Sequence, residues 1–223
     1  MEIQTFLGYI IRPFRKRRML KFIKGFNPDV GQTILDVGGS PYNWELVDYR
    51  GSVVMLNLDP VMDTKSKSNL RSVVGDGTAL GYEDESFDIV FCNSVIEHVG
   101  TLEQQRKFAS EVCRVGKRVF LQTPAKSFWM EPHYVTPFIH YLPKSWQKKL
   151  LKNFSIWGLI ARPSQAYIDS FVDQTKLLGH SELTQLFPNC KIQRERFLFM
   201  TKSYVVIKEA AVPPAVWAST RTV

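Results

Sequence analysis

The sequence predicts an α/β fold, a mostly parallel, doubly wound sheet with helices on both faces, and three stretches carry that prediction. Residues 34–37 are apolar apart from Asp36 and run straight into Gly38 and Gly39, as a buried strand does when it ends in a tight turn that lets a ligand approach the backbone. Twenty-odd residues on, a second apolar run ends in Asp59. This is the layout of a nucleotide-binding unit, with a glycine turn after the first strand and a carboxylate at the tip of the second to accept ribose hydroxyls. Phe87-Asp88-Ile89-Val90-Phe91-Cys92 is almost continuously apolar, which suits a parallel strand covered on both faces.

The elements follow in order. Met19, Phe22, Ile23 and Phe26 recur at helical spacing, so residues 14–26 form a helix that Gly25 and Pro28 end. Strand one is 33–37, a short helix spans 42–49, and strand two is 52–58, stopped by Pro60. A polar linker, 63–69, leads to a third strand at 71–74 and a turn at Gly75-Asp76-Gly77-Thr78. Strand four is 87–92. Leu102, Phe108, Val112 and Val115 mark a helix over 102–115, closed by Gly116. Strand five is 118–122. Alternating strands and helices imply a parallel sheet with right-handed crossovers. The alternation breaks after Pro124 in an aromatic, proline-rich stretch, followed by a helix at 144–154 and another at 181–187. Strands at 191–200 and 202–208 lie close enough to pair antiparallel. Residues 1–208 read as one domain, with a basic amino-terminal helix in 1–30 and an insertion in 125–180; residues 209–223 are expected to be a flexible tail.

Composition narrows the class. Apolar residues make up 44%, ordinary for a packed soluble protein of this length. Cys92, Cys113 and Cys190 form no CxxC pair, which argues against a disulfide framework or a cysteine zinc site and for a reducing, cytoplasmic setting. No apolar run is long enough to span a bilayer. The apolar patch at 6–11 precedes the basic cluster, the reverse of a secretory signal. The formal net charge is +8, and Arg12, Arg15, Lys16, Arg17, Arg18, Lys21 and Lys24 crowd one segment. That favours anionic partners without choosing among lipid, nucleic acid and acidic small molecules.

The segments ILDVGGS (34–40), LNLD (56–59), GDGTAL (75–80), FDIVFCNSVIEHV (87–99) and VFLQTPAK (119–126) together resemble a class I S-adenosylmethionine-dependent methyltransferase of the type 11 group. WMEPHY, HYLP, SELTQLFPN and RERFLFMTKSYVVI further on are similar to a bacterial subgroup of it. The resemblance implies a Rossmann-like, seven-stranded sheet with an antiparallel last strand, and S-adenosylmethionine as cofactor. It assigns Asp36, Gly38 and Gly39 to the loop around the methionine portion, Asp59 to the ribose, Asp76 with Gly77 to the adenine amino group, and Asn93 to the sulfur end. Ser40 and Tyr42 stand where the family usually continues with glycines, so the loop is expected to run differently there, with Ser40 bearing some backbone cost.

Several residues have a plain structural reading beside the functional one. Asp36 could cap a turn, Asp59-Pro60 could start one, and Gly75-Asp76-Gly77 is an ordinary tight turn. His98 at a helix start is more often structural than catalytic. His133, in Glu131-Pro132-His133-Tyr134 beyond strand five, could take a proton from an acceptor hydroxyl or simply brace a loop. Glu131, His133 and His140 could converge, but their spacing matches no established ligand pattern and methyl transfer from a sulfonium needs no Lewis acid, so no metal is expected. The basic first helix and the Trp146/lysine helix suit solvent, or the interface of an anionic membrane with the protein peripheral to its inner face. The expected acceptor is a small molecule or a lipid- or glycan-linked group. The alternatives are an RNA methyltransferase, disfavoured because Asn93-Ser94-Val95-Ile96 is no base-flipping motif, a nicotinamide-dependent oxidoreductase, and a non-catalytic cofactor-binding partner subunit. Oligomeric state is not legible.

Overall fold

A computed structural model describes residues 2–60 and 68–210, with side chains from residue 12 onward. Residues 61–67, most of the expected linker, and 211–223, most of the expected tail, lie outside the described residues. Helix α1 (Glu2–Phe26) is longer than its apolar periodicity indicated and runs through Pro13. It ends where predicted: Asn27 turns left-handed at φ 41° and its N–H donates to Ile23 O at 2.9 Å, a C-terminal cap that asparagine tolerates.

The sheet contains β1 (Ile34–Val37), β2 (Val53–Asn57), β3 (Leu70–Val74), β4 (Phe87–Asn93), β5 (Gly116–Pro124), β8 (Lys191–Phe197) and β9 (Met200–Lys208) in the order β3-β2-β1-β4-β5-β9-β8. β1 to β5 are parallel, whereas β9 runs antiparallel to both β5 and β8. The pleat sorts side chains to two cores. Ile34, Val53, Met55, Ile89, Phe91 and Phe120 face α1 through Met19, Phe22 and Phe26, joined by Trp44 of α2 (Pro41–Glu45). Leu35, Val37, Val90, Cys92, Val119 and Leu121 face α3 (Leu102–Val115) and α7 (His180–Leu186). α3 opens with a capping box between Thr101 and Gln104. Gly116 does not close it with a left-handed turn. It is extended, at φ −101° and ψ 129°, and is already the first residue of β5.

Between β5 and α7 the chain leaves the sheet. It forms a two-residue ladder, β6 (Met130–Glu131) with β7 (Thr136–Pro137), then α4 (Lys144–Phe154), α5 (Ile156–Ala161) and α6 (Gln165–Gln174). These close over a core of their own: Tyr134, Ile139, Leu151, Ile168 and Val172. α5 and α6 were not anticipated, although Ser155 and Ser164 cap their starts.

Candidate functional site

A cleft of 820 Å³ opens where β1 to β4 end at their carboxyl tips, lined among others by Gly38, Asp59, Asp76, Gly77, Val95 and Phe108. This is where open parallel sheets bind ligands. Gly38 sits at φ +73°, and a Cβ there would collide with Val95. A Cβ on Gly77 would lie 2.7 Å from Phe108 Cε2, so neither position has room for a side chain. Two hydrogen bonds fix the glycine loop: Gly38 N–H donates to Leu56 O at 2.8 Å, and Asn57 Nδ2 to Gly39 O at 3.0 Å. Ser40 carries no backbone cost, since its φ of −134° and ψ of 137° are extended.

Asp59 and Asp76 are both exposed on the wall of this cleft. Asp76 Oδ1 accepts the Thr78 N–H at 2.8 Å, which shapes its turn. Asp36 is placed differently. Its carboxylate is buried, lines neither this cleft nor the cavity beside it, and accepts the Trp44 Nε1–H at 2.7 Å. Burial pushes its pKa up to about 7, against the pull of that hydrogen bond. Asp36 therefore braces the loop from behind.

A second cavity, of 500 Å³, meets the first at Gly38 and His98. Arg15, Arg18, Asn43, Asn93, His133 and Lys202 are among its lining residues, and no carboxylate is among the described ones. Asn93, at the tip of β4, is held by Arg18, whose Nη1–H donates to Oδ1 at 2.7 Å. Arg18 was visible in the sequence only as one cation in a run. Its helix brings it to a residue 75 positions away.

The two expected histidines come together. His98 Nε2 lies 3.0 Å from His133 Nε2. His133 Nδ1 lies 2.6 Å from Glu131 Oε1, and the other oxygen of Glu131 accepts the Tyr134 N–H. His98 Nδ1 faces Thr175 Oγ1 at 3.4 Å, and that hydroxyl donates its own proton to Phe171 O. His98 therefore carries its proton on Nδ1 and presents a lone pair at Nε2. Burial alone would lower the His133 pKa, but Glu131 and Glu97 outweigh it and raise it to about 10. His98 is shifted down by burial and by His133. His133 is thus the protonated member of the pair at neutral pH. His140 Nε2 sits 3.1 Å from Lys126 O, and among the described residues Glu131, His133 and His140 do not come together as a ligand set. Glu97, to which the sequence assigned no role, is fully buried, with Oε2 accepting from Thr123 at 2.9 Å and Oε1 3.7 Å from His133 Nε2.

Residues 35–119 match a family model described as a methyltransferase domain. No curated protein matches the chain in sequence. Among solved structures, an S-adenosylmethionine-dependent methyltransferase from Methanosarcina mazei is 17% identical, with a TM-score of 0.50 over 85% of this chain and 98% of that one. One from Aquifex aeolicus is 15% identical, TM-score 0.50, over 85% and 87%. Magnesium protoporphyrin IX methyltransferase from Synechocystis PCC 6803, solved with bound S-adenosylhomocysteine, is 12% identical, TM-score 0.54, over 90% and 83%. At these identities the likeness is one of fold. The matched methyltransferase domain spans residues 35–119, and the chain built around it has the fold of these solved S-adenosylmethionine-dependent methyltransferases.

Proposed function

We propose that this chain methylates an oxygen on an amphipathic, lipid-linked acceptor that bears an anionic group. The reading rests on one observation above all: the cleft at the sheet tips and the cation-lined cavity share Gly38 and His98 as a common wall. When bound in the cleft, S-adenosylmethionine supplies a methyl group already activated on a sulfonium. The residues present fit it. Asp59 and Asp76 offer acceptors for ribose hydroxyls and an adenine amino group, and Gly38 and Gly77 line the same cleft.

The acceptor cavity indicates the substrate class. Arg15, Arg18 and Lys202 line it, and none of them forms a salt bridge among the described residues. A phosphate or carboxylate on the acceptor would supply the missing charge. Beside the mouth, the β8–β9 turn presents Leu198 and Phe199, with Phe199 97% exposed, and Phe197 packs on the cavity residue Phe128 at 6.2 Å. An exposed apolar tip flanked by Arg196 and Lys202 suits the surface of an anionic membrane. The insertion carrying α4 to α6 supports the His133 loop and covers one side of the junction, which favours positioning and water exclusion. In this reading the His98–His133 pair lies against the acceptor oxygen and helps to position it.

The test is transfer of a labelled methyl group from S-adenosylmethionine into an anionic lipid extract or the matching aqueous extract. Label should enter the organic phase and fall at least tenfold with Arg18→Gln. Label confined to water-soluble products would overturn the lipid assignment, and no transfer into either would overturn the reading.

A further inference from the structure

We propose that Glu97 Oε1, His98 Nε2 and His133 Nε2 bind one divalent transition-metal ion at the junction of the two cavities. Only its placement beside the acceptor depends on the methyl-transfer reading. The three atoms all lie within 4.8 Å of one another. The two Nε2 atoms are 3.0 Å apart, and Glu97 Oε1 is 3.7 Å from His133 Nε2, beyond hydrogen-bond reach. Glu97 Oε1 is fully buried and accepts no hydrogen bond among the described residues. A buried carboxylate oxygen left bare beside two imidazole nitrogens is costly unless something positive occupies the gap.

The surroundings aim the ligands inward. Glu131 holds His133 through Nδ1, Thr175 faces Nδ1 of His98, and Thr123 donates to the far oxygen of Glu97. Each ligand is thus gripped on the side away from the gap, the pattern that fixes tautomer and direction around protein-bound metals. Charge agrees. Glu97 and Glu131 are both buried, and one imidazolium balances one carboxylate, whereas a divalent ion held by neutral imidazoles balances both. Two nitrogens and one oxygen favour zinc, manganese, iron or cobalt over magnesium and calcium. Because His98 lines both cavities and His133 lines the second, the remaining coordination positions open towards the acceptor. Sequence spacing hid the site: Glu97 and His98 follow β4, while His133 comes from the insertion 35 residues later.

The experiment is equilibrium dialysis of the chelator-stripped full chain against zinc and manganese(II), with magnesium as control, and the visible spectrum of the cobalt(II)-loaded wild type as a second readout. S-adenosylhomocysteine binding is measured by calorimetry on the same stripped sample. The proposal expects one zinc or manganese ion per chain, little magnesium, and cobalt bands of a nitrogen-bearing site. His98→Gln and His133→Gln should each lose at least about tenfold in affinity, and Glu131→Gln about ten- to a hundredfold, as for a group that orients a ligand. Substoichiometric binding by wild type overturns it, as does affinity unchanged in both histidine variants. If S-adenosylhomocysteine binds and metal does not, this site fails while the methyl-transfer reading stands. The reverse result keeps the ion site and removes the cofactor reading.

Discussion

Burial sets the chemistry of one side chain behind the cleft, and neighbouring carboxylates set that of another beside it. Asp36 has a folded-state pKa of about 7 against an ordinary 3.8. Ionisation therefore costs stability increasingly as pH rises from about 4 to 7, and in full above that. Asp36→Asn keeps an oxygen for Trp44 and removes the charge. Its melting temperature should exceed that of wild type at pH 8, by a margin that shrinks as pH falls towards 4; a lower value at pH 8 would show that the carboxylate stabilises the loop. His133 runs the other way. Its folded pKa of about 10 lies above 6.5, so the stability it contributes is complete below about pH 6.5 and is lost as pH rises towards 10. In chelator, the stability gap between wild type and His133→Gln should shrink over that window, and a constant gap in urea titrations would contradict the pairing with Glu131 and Glu97. Asp59, Asp76, Gly38 and Asn93 were legible because each sits at a strand tip, a location that apolar runs and glycines mark. Arg18, Glu97 and Thr175 were not, because their partners lie 75, 26 and 77 positions away and periodicity carries no information about such pairs.

At the scale of elements, α1 forms one face of the core. Phe22 lies fully buried against Phe91 at 4.7 Å and Phe120 at 5.3 Å. Phe22→Ala should destabilise the chain by about 3–5 kcal/mol in denaturant unfolding, and a cost near zero would mean that α1 does not pack there. The helices α3 and α4 were readable to the residue because each has an apolar stripe at helical spacing and a clear start. α6 was not. It is short, its buried face reduces to Ile168 and Val172, and the aromatic side chains around it gave no period. Gly116 resembled a helix cap but opens β5, because the strand follows α3 with no intervening turn. Tertiary pairing with β4 decided that position over local preference.

For the molecule as a whole, a parallel sheet with helices on both faces gathers the strand tips at one end, and the insertion places His133 over them. The α/β class followed from alternation, and the paired closing strands from their closeness in sequence. The insertion of β9 between β5 and β8 agrees with the family resemblance, whereas the interior of the 125–180 insertion could not be foreseen from composition. The exposed β8–β9 tip and the cations near it predict sedimentation with phosphatidylglycerol vesicles at low salt, weakened by Phe199→Asp and by added salt, and little sedimentation with neutral vesicles. Equal binding to both vesicle types would remove charge from the account. The central claim is that Asp59 reaches the sugar of an adenosyl cofactor from the tip of β2. Calorimetric titration of S-adenosylhomocysteine into wild type and Asp59→Ala tests it most directly: affinity should drop about ten- to a hundredfold in the variant, the loss of charge-assisted hydrogen bonds, and equal affinity in the two proteins would contradict it.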